Sequence, residues 1–140
     1  ICAGHGMSSL SFELIQQRAQ VILIDSYLDD NEVARCFYAA DYCLLPYRHI
    51  LHSGTAMLAA TYSCPIIAPR VGVFKDIADR YTIGLFYEQG DDSSLIRALN
   101  LTVTYSRSSF DEAFKTFQND HTLTRSLDAT IRAYSHLFLH

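Results

Sequence analysis

Apolar residues gather in five short runs: Ile1–Ala3 ("ICA"), Val21–Ile24 ("VILI"), Tyr42–Leu45 ("YCLL"), Pro65–Ala68 ("PIIA") and Ile83–Phe86 ("IGLF"). None alternates polar with apolar positions. Continuous runs of this length suit strands buried on both faces of a parallel sheet. Between them, apolar positions recur at helix spacing. Leu10, Leu14 and Ile15 mark a helix over 10–19. Asp29, Asp30 and Asn31 offer caps for a second, with Val33, Ala34, Phe37 and Tyr38 as its buried stripe. A third runs from Ser53 to Ser63, and a fourth from Phe74 to Arg80 with Ile77 and Ala78 facing inward. Strand alternating with helix predicts an α/β fold: a doubly wound, Rossmann-like parallel sheet of about five strands.

The pattern changes after Phe86. "YEQGDDSS" reads as a loop rich in cap residues, and Leu95, Ile96, Leu99 and Val103 continue as a helix. Phe110, Phe114 and Phe117 are spaced for another, and Leu123, Leu127, Ile131, Tyr134 and Phe138 for a last amphipathic one. The C-terminal segment is thus expected to be all helical. The division expected is a sheet domain over 1–105 and helices packing on it over 106–140.

Composition adjusts this picture little. With 140 residues, 49% hydrophobic and 19% charged, the chain suits one domain with a sizeable core. A net charge of −4 gives no general attraction to nucleic acid, and none is expected as a partner. No apolar run approaches the length needed to cross a bilayer, and no secretory leader is visible. The first residue is Ile1, within a strand-like run, which leads us to expect a piece of a longer protein. Cys2, Cys36, Cys43 and Cys64 form no C-x-x-C pair and sit in apolar stretches, as reduced core thiols of a cytosolic protein do. No metal site is expected.

Ligands of an open parallel sheet bind beyond the carboxyl ends of its strands. Four loops fall there: "GHGMSS", "DSYLDD", "PYRHILHSG" and "PRVG". The third ends in Ser53, a helix cap, and Gly54, which lets a ligand approach the backbone. The N–H groups of Gly54, Thr55 and Ala56 at the positive end of the helix dipole would make an anion site, while the plainer reading of Ser53-Gly54 is a cap alone. The Gly4–Gly6 turn lacks dinucleotide-fingerprint spacing. His49 and His52 flank the anion site and could donate to a phosphate or a sugar hydroxyl, although loop histidines are commonly only solvated. No Ser-His-Asp or Cys-His arrangement is evident.

One stretch carries a family resemblance. "AADYCLLPY…HSGTAMLAATYSCPIIAPRVGVFKDIADRYTIGLFYEQGDDSSLIRAL" resembles the donor-binding half of a group 1 (family 4) glycosyltransferase of GT-B fold. The resemblance lies in the order of Pro46-Tyr47, Pro65-Ile66-Ile67-Ala68, Gly72, Asp76-Ile77, Gly84-Leu85 and the helix from Asp92 to Leu99. "VILIDSYLDDNEVARCFYAAD" resembles the strand, turn and helix preceding that region. Where many members carry a Glu-x7-Glu pair, this chain has Ile50 and Leu58, so it is similar to the subgroup with Ser-Gly at the helix start. The family's upstream strand, its basic Gly-Arg-x…Lys-Gly segment and its acceptor-binding half do not occur in these 140 residues.

The resemblance implies a partial C-terminal domain that binds a nucleotide-diphosphate-sugar donor, UDP- or GDP-linked. The enzyme implied moves a hexose-type sugar to a glycan or lipid-linked acceptor held by an N-terminal domain. This portion is expected to be inactive alone. Ser53, Gly54 and Thr55 would hold the diphosphate. Ser26, Tyr27 and Leu28 would line the nucleoside pocket, and His52 would face the sugar. The family uses no cofactor or essential metal. Arg48 or Arg70 could partly stand in for the family's basic segment, although surface solvation is the plainer role of each. A cytoplasmic location is implied, with peripheral association of the full-length enzyme at the inner face of a membrane. The alternatives are a sugar-nucleotide epimerase domain of related fold and a non-catalytic α/β binding module.

Overall fold

The computed structural model of the chain describes residues 2–3 and 22–122. The helix expected over 10–19, the Gly4–Gly6 turn, the stretch from Leu123 to Phe138, and His136 and His140 lie outside the described residues. The chain forms two compact units, Ile1–Ala40 and Asp41–His140.

In the first unit, β1 (Cys2–Ala3) pairs in parallel with β2 (Leu23–Ile24), Cys2 opposite Leu23 and Ala3 opposite Ile24. Helix α1 spans Asp30–Ala39. It starts where the acidic cluster predicted. Asp29 Oδ1 accepts from the Glu32 N–H at 2.8 Å, and Glu32 Oε2 accepts from the Asp29 N–H at 2.9 Å, closing a capping box. Phe37 is buried and Val33 and Ala34 are half-buried. Tyr38, expected in the buried stripe, is 69% exposed. It lies about 100° round the helix from Phe37, at the edge of the apolar face.

In the second unit, β3 (Cys43–Leu44), β4 (Ile66–Pro69) and β5 (Gly84–Tyr87) form a parallel sheet in the order β3-β4-β5. Cys43 pairs with Ile66, and Ile66 with Gly84. Central β4 is buried throughout, as its unbroken apolar run requires. Between the strands lie α2 (Gly54–Thr61) and α3 (Val73–Arg80). After β5 come α4 (Asp92–Leu101), a 3-10 turn (Arg107–Phe110) and α5 (Asp111–Asp120). The protein is therefore α/β. Parallel pairing comes as one ladder of two strands and one of three, not as the single five-stranded ladder expected. With β1, β2 and β3 only two residues long, each offers few backbone groups for lateral pairing.

Phe74 and Ile77 of α3 are buried, and Ala78 is half-buried. On α4 the inward line is Ser94 and Ala98, two small residues that let the helix lie close to β5. Ser94 Oγ accepts the Glu88 N–H at 3.0 Å, which fastens the end of β5 to the start of α4. The stripe expected there is displaced: Leu95 is half-buried, Ile96 and Leu99 are exposed, and Val103 lies past the end of α4 and is 90% exposed. Close helix–strand approach has won over side-chain size.

The phenylalanine spacing is realised as a 3-10 turn running into α5, with Phe110, Phe114 and Phe117 all buried. Each such ring contributes about 2–3 kcal/mol of burial. These elements close the amino ends of the strands. Just before β3, the Tyr42 ring meets Phe110 edge-on at 6.1 Å, and its hydroxyl donates to the Tyr105 carbonyl at 2.5 Å. Just before β5, Tyr81 meets Phe117 at 4.9 Å and bonds Asp120 through its hydroxyl at 3.1 Å. The carboxyl ends of the strands are left to loops.

Candidate functional site

The loop from Leu45 to Ser53 leaves the carboxyl end of β3 and delivers the chain to α2. Three contacts fix it. The Tyr47 ring stacks on Phe74 of α3, with centroids 6.0 Å apart and planes 20° from parallel. Gln89, in the loop after β5, donates its side-chain amide to the Arg48 carbonyl. The Ile50 carbonyl fills the space where a Cβ on Gly72 would stand, and Gly72 itself has φ 50° and ψ −134°, open to glycine alone.

Ser53 caps α2 as its sequence position predicted. Its Oγ accepts the Ala56 N–H at 3.1 Å, and its carbonyl accepts the Met57 N–H at 3.2 Å. That cap changes the expected anion cradle. The Ala56 amide is consumed, so the groups left without an acceptor among the described residues are the N–H of Gly54 and of Thr55. A Cβ built on Gly54 meets nothing within 4 Å among the described residues, which leave the space over the first turn open. A shallow depression of about 390 Å³ opens there, lined by Tyr47, His49, Ile50, Leu51, His52, Ser53 and Gly54. The structure thus brings Ser53, Gly54 and His52 around one depression, with Thr55 the next residue along.

Among the described residues no acidic side chain lines this depression, and α2 has no acid in its first turn. The four other described helices all carry one, at Asp30 and Glu32, Asp76, Asp92, and Asp111 and Glu112. An anion there meets the helix dipole without a competing carboxylate. Ile50 is half-buried and Leu58 is 43% exposed, and neither offers a charged group. His49 and His52 are exposed, and no cluster able to hold a metal ion occurs among the described residues.

The two candidate cations part company. Arg70 is committed: its guanidinium bonds Asp79 and lies 3.6 Å from Glu88. Arg48 is exposed and ion-paired with none of the described residues, but its side chain does not line the depression. Ser26, Tyr27 and Leu28 follow β2 in the first unit. Ser26 is exposed, Tyr27 is 92% exposed and Leu28 is half-buried.

Cys43 and Cys64 are held as protonated thiols. Burial, and then the neighbouring Cys64, pushes the Cys43 thiol from 9.0 up to about 12. Burial also raises Cys64; Arg107 pulls it down and Asp41 pushes it up. Thiols held protonated in this way are poor nucleophiles and poor metal ligands. Sequence reasoning missed Gln89 and the Ile50–Gly72 contact. Only the Gly in "RVGVF", at a strand-to-helix turn, hinted at the second.

No protein-family model matches the chain, and no curated protein matches it.

Proposed function

We propose that this chain is the donor-binding part of a GT-B glycosyltransferase, holding the diphosphate of a UDP- or GDP-sugar at the start of α2. The observation that carries the reading is the pair of amides at the start of α2, Gly54 and Thr55, without an acceptor among the described residues, with Gly54 lining a depression beyond the carboxyl end of a parallel strand. The order of short motifs from Pro46-Tyr47 to the α4 helix supports it. In this reading the five strands belong to one Rossmann-like sheet.

The chemistry follows from the leaving group. Breaking the bond from the sugar to a nucleoside diphosphate builds negative charge on the diphosphate, and preorganised donors at that point lower the barrier. Two backbone amides and the α2 dipole do this without reorganising. His52 faces the sugar, while Ser26, Tyr27 and Leu28 meet the nucleoside. The acceptor and the groups that act on it come from an N-terminal domain. With Arg70 paired elsewhere, the diphosphate is held mainly by neutral donors, and affinity is weak.

Calorimetry with UDP, GDP and their sugars tests the reading, on this chain and on a longer chain that includes the upstream half. Saturable binding of at least one of them by the longer chain is expected. No binding of any by that chain would overturn the proposal.

A further inference from the structure

Helix α2 is held at its far end by side chains that the site itself never sees. The chain leaves α2 through Ser63, whose φ of 51° is left-handed. The Cys64 N–H donates to the Ala59 carbonyl at 2.8 Å and the Ser63 N–H to the Ala60 carbonyl at 3.1 Å, a Schellman turn. Outside it, Arg107 spreads its guanidinium over the next two carbonyls: Nε donates to Ser63 O at 3.0 Å and Nη2 to Tyr62 O. Gln118 of α5 adds a bond to the Ala60 carbonyl at 2.8 Å and reaches Ser63 Oγ at 3.3 Å. Since α2 has no basic residue in its own last turn, Arg107 supplies the positive charge that this end favours.

The helix needs such a hold. Its buried residues are the small Ala56, Ala59 and Ala60. Sliding or turning the helix would break a two-pronged, charge-assisted contact. At eight residues, α2 is about 12 Å long, short enough to move as a rigid rod. Displacing its C-terminal end therefore displaces the amides at its start.

We infer that Arg107, assisted by Gln118, is a positioning residue for the anion site: it sets where the Gly54 and Thr55 N–H groups stand, from the opposite end of α2. The inference rests on the diphosphate reading for its functional meaning. The elements from Arg107 to Asp120, none of whose residues lines the depression, are by this account required for its geometry.

The test follows the amide resonances of Gly54 and Thr55 in the 15N-labelled chain without ligand, in Arg107→Gln, Arg107→Lys and Gln118→Ala. Arg107→Gln is expected to shift both resonances. Arg107→Lys keeps the charge but loses the planar fork, and is expected to leave them displaced. Gln118→Ala, at an exposed residue, gives a smaller shift in the same direction and serves if Arg107→Gln does not fold. Changes confined to residues 58–64, with Gly54 and Thr55 unmoved, overturn the inference. Adding UDP then separates the two claims. About tenfold weaker UDP binding by Arg107→Gln than by the unaltered chain supports both; equal affinity contradicts the positioning role. Displaced Gly54 and Thr55 resonances, together with no UDP binding by the longer chain that includes the upstream half, leave the clamp standing and remove the diphosphate reading.

Discussion

The carbonyl of Ile50 rests against Gly72, where any other residue would place its Cβ. This contact joins the loop that shapes the depression to the first turn of α3. Gly72→Ala therefore meets both a steric obstacle and a positive φ. We expect a loss of about 2 kcal/mol or more in urea unfolding, together with displacement of the Tyr47–Ser53 loop. Unchanged stability would mean that the loop yields freely and does not hold the depression in shape.

Ser53→Ala removes the oxygen that caps Ala56. The expected cost is about 1 kcal/mol, read from the denaturation midpoint. The substitution also frees the Ala56 amide, so if the helix start binds anions, affinity should fall less than stability alone suggests. A neutral effect on stability would show that water replaces the cap without loss.

Replacing Phe114 of α5, 1% exposed, by Ala should cost about 3–5 kcal/mol. Thermal unfolding monitored by circular dichroism checks this. A cost under about 1 kcal/mol would show that the helical segment adds little to the core.

Cys43 makes a prediction with a definite sign. Its pKa rises on folding from 9.0 to about 12, so the folded state holds the proton more tightly than the unfolded state. The associated stability is complete below pH ~9 and declines as pH climbs toward about 12. Tyr42, Cys64 and Tyr87, raised mainly by burial, act in the same direction. Cys43→Ser should flatten the alkaline limb of a stability–pH profile. In the native protein at pH 8, Cys43 should also resist alkylation, and rapid labelling there would contradict its protonated, half-buried state.

The parts of this structure that were readable in the sequence are those decided by neighbours in the chain. Asp29 with Glu32 and Ser53 with Ala56 are contacts three residues apart, and both caps formed where expected. The apolar runs became parallel strands because no polar position interrupts them. What escaped prediction depends on distant partners. Arg70, a partial stand-in or a solvated cation in the sequence, is paired because folding brings Asp79 and Glu88 beside it. Ile96 and Leu99 face outward because Ser94 and Ala98, being small, lie closer to β5. Arg107 reaches carbonyls 44 and 45 positions earlier, which no local pattern encodes. The third amide expected at the anion site could have been discounted from sequence, since a capping Ser bonds the N–H three residues on.

The account turns on whether the start of α2 binds a diphosphate. Calorimetric titration of UDP into the longer chain and into its Gly54→Val form tests this most directly. Position 54 has open space for a Cβ, so the fold should survive, as circular dichroism would verify. The branched side chain should cover the two amides and weaken UDP about tenfold or more, roughly 1.4 kcal/mol or above. Equal affinity in the two forms would contradict the account and leave Ser53-Gly54 as a helix cap alone.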